Sequence, residues 1–313
     1  MTETGTAVSA RLSTTSEGLW LTAALCGVAQ LPPLLKIRPI GAVQATIADH
    51  PGMEVLHDAG IYRDGAVDPS VASWVGVLGR PDLEVDVTIT RPETAPSRLE
   101  GPPPIFTAPD DPIEAAAALA QWYAQRPPQR VVTLCRRDNA WVAAARLWRP
   151  GQDANDEVVV SPLGEAEITH AVVDTLGPAE PAQFHGINSE AAVLHTILAA
   201  WQANPAIDLV AGLTEVGLSV PQARLIEAVA DRGTTRAVIG AAEFSISGPA
   251  QAPMAVTVAD TLIGRVVVSN SVGPDGRQWT TLLPGAEHAI HTAVLELLET
   301  LPSGRGWPTH RRT

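Results

Sequence analysis

The sequence predicts an α+β scaffold of sheet and helices built as two similar halves, and three observations carry the prediction. First, two stretches follow one order of β-rich runs and tight turns leading into an amphipathic helix. The runs near 83–90, 130–137, 140–148 and 157–161 precede a helix near 165–176, and those near 234–246, 254–260, 264–270 and 278–283 precede a helix near 285–301. Second, the helix ends spell alike, Val173-Asp174-Thr175-Leu176-Gly177-Pro178 against Leu298-Glu299-Thr300-Leu301-Pro302-Ser303. Third, Leu83, Val85, Val87 and Ile89 alternate with Glu84, Asp86 and Thr88, the period of a half-buried strand with the acids on its solvent side.

Taken in order, residues 1–7 read as a flexible tail and 8–14 as a short first strand. Ser16 caps a helix over 17–27 that Gly27 ends, and Leu34 to Arg38 reads as extended. A helical pattern over 43–59 is broken at His50-Pro51-Gly52, because Pro51 lacks an N–H. Asp68 and Pro69 supply cap and first turn for a helix whose Val71, Trp74, Val75 and Leu78 share one face. A proline-rich stretch from Arg91 to Pro112 follows, then an Ala-rich helix to about Gln125 opened by Asp111, Pro112 and Glu114. Asp138-Asn139 and Gly273-Pro274-Asp275-Gly276 are hairpin turns. Gly177 to Gly186 is the linker, giving halves over 8–177 and 187–304 and a second flexible tail over 308–313. Helical patterns over 189–203, 206–216 and 219–232 open the second half.

Composition narrows the function. The chain has 313 residues, ample for a core without disulfides, and a formal net charge of −13, which argues against nucleic acid. Lys36 is the only lysine. Cys26 and Cys135 lie in apolar runs and read as buried free thiols. Met1 to Ala10 has neither the basic nor the apolar region of a signal peptide. Leu19 to Leu35, broken by Pro32-Pro33, is too short to span a bilayer, so a cytoplasmic protein without membrane insertion is expected.

Chemistry-bearing motifs are scarce. There is no P-loop, no Gly-x-Gly-x-x-Gly and no Gly-x-Ser-x-Gly elbow. His288 and His291, three apart on a helix, have metal spacing but lack a third ligand, and a solvated helix start explains them better; no metal or cofactor is expected. His50 and His57 read as surface or cap residues, and Asp110-Asp111 and Asp153/Asp156-Glu157 as caps rather than acid–base pairs. The interior tryptophans read as core, and Trp307 as packing back onto the body. Ile105 and Phe106 either fold onto the sheet or form a partner-binding loop. Ser247 to Pro253 is the equivalent connection in the second half, and the two connections are expected at comparable ends of the sheet. Other readings stay open: an α/β domain with a ligand pocket between sheet and helices, and an oligomeric structural component.

In their order along the chain, several segments resemble the EspG proteins of mycobacterial type VII (ESX) secretion systems. These are Glu17-Gly18-Leu19-Trp20, His50-Pro51-Gly52-Met53, Gly79-Arg80-Pro81-Asp82-Leu83-Glu84-Val85, Val131 to Arg137, Trp141-Val142-Ala143, Leu283-Pro284-Gly285, Leu301-Pro302-Ser303-Gly304 and Gly306-Trp307. The resemblance implies a central antiparallel β-sheet flanked by helices, in two quasi-two-fold-related halves. It implies a cytosolic chaperone without catalytic activity that binds the apolar helical tip of PPE in a PE–PPE heterodimer, as a 1:1:1 complex. Self-association of the free protein is left open. Carried onto this chain, the contact regions are Leu99 to Phe106 (Leu99, Ile105 and Phe106), Leu213 to Leu218 (Leu213, Val216 and Leu218) and Ser247 to Gln251 (Ser247, Gly248 and Gln251). The chain departs from the family pattern in its extended 91–129 segment. Of the two halves, only the first has the long proline-rich loop, and only the second is expected to follow a cluster of three helices.

Overall fold

A computed structural model describes residues 11–37, 50, 52–92, 111, 114, 117–118, 129–148 and 156–312. At its centre the alternating run forms β4, Leu83–Thr90, which pairs antiparallel with β9, Thr235–Ser245, from Leu83 opposite Glu243 to Thr90 opposite Arg236. From that seam each half unrolls outward. On one side stand β5 (Gln129–Arg137), β6 (Ala140–Trp148), β7 (Glu157–Gly164) and β1 (Leu12–Thr15). On the other stand β11 (Val256–Thr261), β12 (Gly264–Val272), β13 (Gln278–Pro284) and β8 (Ile187–Glu190). Every pairing in this 11-stranded sheet is antiparallel, and β10, Gly248–Gln251, folds back on β9. The layout is an antiparallel sheet of two halves related about the β4–β9 seam.

β8 takes the first residues of the stretch expected to be helical from 189, pairing Ile187 to Glu190 with Leu282 to Trp279. It corresponds to β1 in the first half. Each is a four-residue edge strand running straight into a helix: α1, Ser16–Leu25, and α5, Ala191–Ala203. The repeat therefore begins earlier than the meanders suggested.

One face of the sheet is covered by the two meander helices. These are α4, Ile168–Leu176, and α8, Glu287–Glu299, which pack together across the seam. Ile168, Val172, Ile290, Val294 and Leu298 meet Val85, Val87, Ile239 and Val258 in one core shared by both halves. Such side chains each contribute about 1.5–3 kcal/mol by leaving water.

The opposite face carries two separate helical layers. Over β5, β6 and β7 lie α1, α2 (Gly52–Asp58) and α3 (Pro69–Gly79), with Leu19, Leu56, Val75 and Leu78 buried against Val131, Val142 and Val160. Over β8, β12 and β13 lie α5, α6 (Leu209–Glu215) and α7 (Val220–Ala230), with Leu194, Leu213 and Ile226 against Ile187, Val266 and Leu282. Among the described residues each half thus has three helices over this face, which corrects the expectation that only the second did. An apolar sheet face must be covered, and two equal half-sheets need equal covers.

Helix starts follow their caps. Asp68 accepts from the N–H groups of Ser70 and Val71 at 2.9 and 3.2 Å, with Pro69 at the first position. Thr15 caps α1, one residue before the expected Ser16, accepting from Gly18 N at 3.0 Å. Pro33–Leu35 is a 3-10 turn rather than extended, and it leaves Lys36 at φ 52°. Gly264 has φ 115°, and a Cβ there would lie 2.6 Å from the Ala182 backbone, so only glycine fits.

Beyond α8 the chain is also held. Arg136, 3% exposed, donates to the carbonyl oxygens of Trp307, Pro308 and His310 at 3.0, 2.7 and 2.8 Å. Asp82 accepts from Arg312 N at 2.8 Å, and His310 Nε2 lies 2.9 Å from the Phe244 carbonyl oxygen. Residues 308–312, expected in a flexible tail, form a strap across both halves.

Candidate functional site

Antiparallel pairing decides where the expected loops can act. The connection after β4 leaves at Thr90, beside the start of β9, whereas the connection after β9 leaves beside Leu83. The two leave from opposite ends of the sheet, not from comparable ends, because the strands they follow run in opposite directions. Leu99, Ile105 and Phe106 fall outside the described residues.

The connection after β9 is a hairpin. Ser245 and Ser247 hydroxyls bond at 2.7 Å, Gly248 turns the chain at φ 117°, and Gly248 to Gln251 pair back onto Ser245 to Ala242. Ser247 and Gln251 are exposed, Gly248 is half-buried, and Ile246 at the tip is 88% exposed. In the other expected region, the joint between α6 and α7, Val216 is exposed while Leu218 is half-buried against the helical core. Leu213 is fully buried in that core, so its side chain supports the joint and offers nothing to a partner. Val220, on the first turn of α7, is 50% exposed and extends the apolar surface begun by Val216.

A further surface was not legible from loops. The two helical layers stand on β5–β7 and on β8, β12 and β13, so β4 and β9 lie between them. On β9 the covered face holds Ala237, Ile239 and Ala241, all buried, while the face between the layers holds Val238, Gly240 and Ala242, all partly open. Val238 is 45% exposed although it sits at mid-sheet, opposite Thr88 and Thr257. The result is an open strip with a floor of small and apolar side chains.

Beneath one margin of the strip lies an acid pair. Glu84 and Asp86 share one face of β4 and hydrogen-bond to each other. Opposite them β5 places Cys135, whose thiol donates to Glu84 Oε2 at 3.9 Å, and Thr133, which hydrogen-bonds Asp86. Neither carboxyl has a cation partner among the described residues, and Asp86 Oδ1 finds no hydrogen-bond partner there. Burial, then the neighbouring Asp86 charge, pushes Glu84 up to about 8. Burial also raises Asp86, against the bonds from Thr133 and Glu84. Two adjacent buried carboxyls without a cation cannot both ionise cheaply, so Glu84 holds a proton and donates it to Asp86. The alternation of β4 assigned Glu84 to solvent; at 5% exposure it is buried, opposite Cys135 of the core under α1–α3.

The other polar candidates are structural. Asp156 pairs with buried Arg146 at 3.1 Å, and Arg146 also donates to the carbonyls of Leu35 and Lys36. Asp111 accepts from Glu114 N at 3.0 Å as a cap, whereas Asp110 and Asp153 fall outside the described residues. His50 bonds Gly52 N and pairs with Glu17, and His57 stacks edge-on with Tyr62. His291 meets His170, not His288, with ring centroids 4.5 Å apart. Among the described residues no cluster of three or more His, Cys, Asp or Glu is placed to hold a metal. Cys26 and Cys135 are free thiols. Clefts of about 370 and 530 Å³ open on the other face, beside α4, and neither is lined by Glu84 or Asp86. Among the described residues no helix is long and apolar enough to cross a membrane.

Known proteins show the same overall architecture. The protein is similar to ESX-5 secretion-associated protein EspG5 of Mycobacterium tuberculosis, at 27% identity over 95% of each chain. It is also similar to ESX-2 secretion-associated protein EspG2 of the same species, at 28% identity over 96% of this chain and 99% of the relative. A solved structure of the M. tuberculosis type VII secretion system chaperone EspG5, in complex with a PE25–PPE41 dimer, superposes with a TM-score of 0.72. That match has 22% identity and covers 96% of this chain and 99% of the other, so it speaks for the fold. The sequence model of the EspG family matches residues 15–102 and 105–296. With the family model matching over that length and the fold shared with a solved relative, the chain belongs to the EspG family.

Proposed function

We propose that this protein is a cytoplasmic, non-catalytic chaperone of a type VII (ESX) secretion system. In this reading it binds the apolar helical tip of the PPE subunit in a PE–PPE heterodimer, as a 1:1:1 complex, and keeps that tip soluble until secretion. The supporting observation is family membership across nearly the whole chain, together with a structural relative solved as a chaperone on a PE25–PPE41 dimer. The chemistry agrees. Chaperoning an exposed apolar tip needs apolar surface and adaptable edges, as at Val216, Val220, Ile246 and Val238, and mass action then stabilises the soluble form. The raised carboxyl pair opens on neither of the two clefts beside α4.

Co-expression with the PE–PPE pairs of the same genome tests the proposal. Co-elution at 1:1:1, with PPE insoluble in the chaperone's absence, is expected. PPE that is equally soluble alone and never co-elutes overturns it. In a responsive pair, Val216→Asp should weaken binding by roughly tenfold, the scale of one interface anchor.

A further inference from the structure

From the bonds that gather on Glu243 and Phe244, we infer that the C-terminal strap braces the β9–β10 hairpin, and that His310 is a positioning residue for a partner met at the hairpin tip. This rests on the chaperone reading above and adds to it what holds one contact in place.

The hairpin stands beyond the sheet. β4 begins at Leu83, opposite Glu243, so Phe244 and Ser245 of β9 run past its start. There β9 pairs with β10, and Ile246-Ser247 forms the turn between Ser245 and Gly248. A two-stranded ribbon is marginal by itself in water. It nevertheless carries Ile246, 88% exposed, at its tip.

Phe244 shows what the ribbon lacks and what supplies it. Its N–H donates to the Asp82 carbonyl at 3.0 Å, so its own carbonyl points to that same side, away from β10. Pro249, opposite it on β10, has no N–H to offer. The Asp82 N–H is already engaged by the Arg136 carbonyl at 2.7 Å. His310 takes the vacant rung, with Nε2 at 2.9 Å from the Phe244 oxygen. A carbonyl oxygen only accepts, so Nε2 carries a proton and donates it to the bond.

Two further contacts flank this rung. Ser303 donates its N–H and hydroxyl to Glu243 Oε2, and the Arg312 guanidinium lies 5.8 Å from the Phe244 ring centroid. The strap is anchored in turn on the first half, through the Arg136 donors and through Asp82, which accepts from Arg312 N and Asp138 N. The pose of a hairpin in the second half is thus fixed from the first. A tip held in its bound pose spares the partner the entropy of ordering it.

Titration calorimetry of the full chain with a co-eluting PE–PPE heterodimer, together with hydrogen exchange of the amides over 242–251, tests the brace. His310→Leu should speed exchange in the hairpin and weaken binding, each by about tenfold, the scale of one lost hydrogen bond to a part-buried carbonyl. Melting should stay near wild type, and His310→Gln, whose amide also donates, should restore both. Arg312→Ala, at an exposed position, should fold as the wild type and weaken binding about two- to fivefold. Ile246→Ser should weaken binding about tenfold in the wild type and clearly less in the His310→Leu background, because a loosened tip has less to lose. Unchanged exchange in His310→Leu overturns the brace. Wild-type affinity there, or losses that simply add with Ile246→Ser, overturns its role in partner binding and leaves the chaperone reading standing. Co-elution of the wild type with no PE–PPE pair overturns the chaperone reading and this inference with it.

Discussion

Two buried acidic sites show how differently charge is handled at the residue scale. Asp156 faces Arg146, and the guanidinium also donates to the carbonyls of Leu35 and Lys36, so the charge is matched and hydrogen-bonded. Among the described residues Glu84 and Asp86 face no cation, and they share a proton instead. Removing Asp156 takes from the buried Arg146 a carboxylate at 3.1 Å. Asp156→Ala should therefore cost about 3–5 kcal/mol, whereas the exposed Arg305–Glu299 pair contributes about 0–1 kcal/mol at most. Urea denaturation of Asp156→Ala and Glu299→Ala measures both, and equal losses would show that the Arg146 charge is not effectively buried. The sequence placed Asp156 near a strand start and read it as a cap. Its partner, ten residues back on the neighbouring strand, is visible only once β6 and β7 are in register.

Among the elements, the C-terminal strap and the β9–β10 hairpin depart most from expectation. Gly304–Thr309 is a 3-10 turn that presents its carbonyls to Arg136, while Ser303 donates to Glu243 Oε2 through its N–H and hydroxyl at 3.1 and 2.5 Å. Trp307 packs onto the shared core, so the strap buries apolar surface as well as carbonyls. Arg136→Met removes three donors at once while keeping the stem, and should cost about 3 kcal/mol. A loss below about 1 kcal/mol in denaturant titration would mean that the strap is peripheral. A proline and glycine near the chain end do suggest a tail. Nothing in that composition reports a buried arginine 171 residues upstream waiting for carbonyls.

Among the described residues the main sheet joins two similar halves. The eight register pairs of β4 with β9 and the α4–α8 contact place the main core across the seam, so neither half closes its own. Residues 8–177 expressed alone should expose β4 as an edge bearing Leu83, Val85, Val87 and Ile89, and should aggregate rather than fold. Mixing with residues 187–313 during refolding should recover the native spectrum and a single species. A folded, monomeric first half in size-exclusion chromatography and circular dichroism would refute the shared core.

Much of this architecture was written locally. The alternation of Leu83 to Ile89, the Asp68-Pro69 cap, the Asp138-Asn139 turn and the twin helix ends determined the strands, the helices and their duplication, because each depends on residues within a few positions of one another. The ordered segments quoted from Glu17 to Trp307 determined the family. Tertiary structure alone decided what lies between distant parts. Antiparallel pairing at the seam made the two loops leave from opposite ends, the second helical layer balanced the first, the gap between them opened a strip at Val238, and the core under the first layer took in Cys135 opposite a buried Glu84. Periodicity tells which side of a strand is apolar. Which side ends up dry depends on what the rest of the chain lays over it.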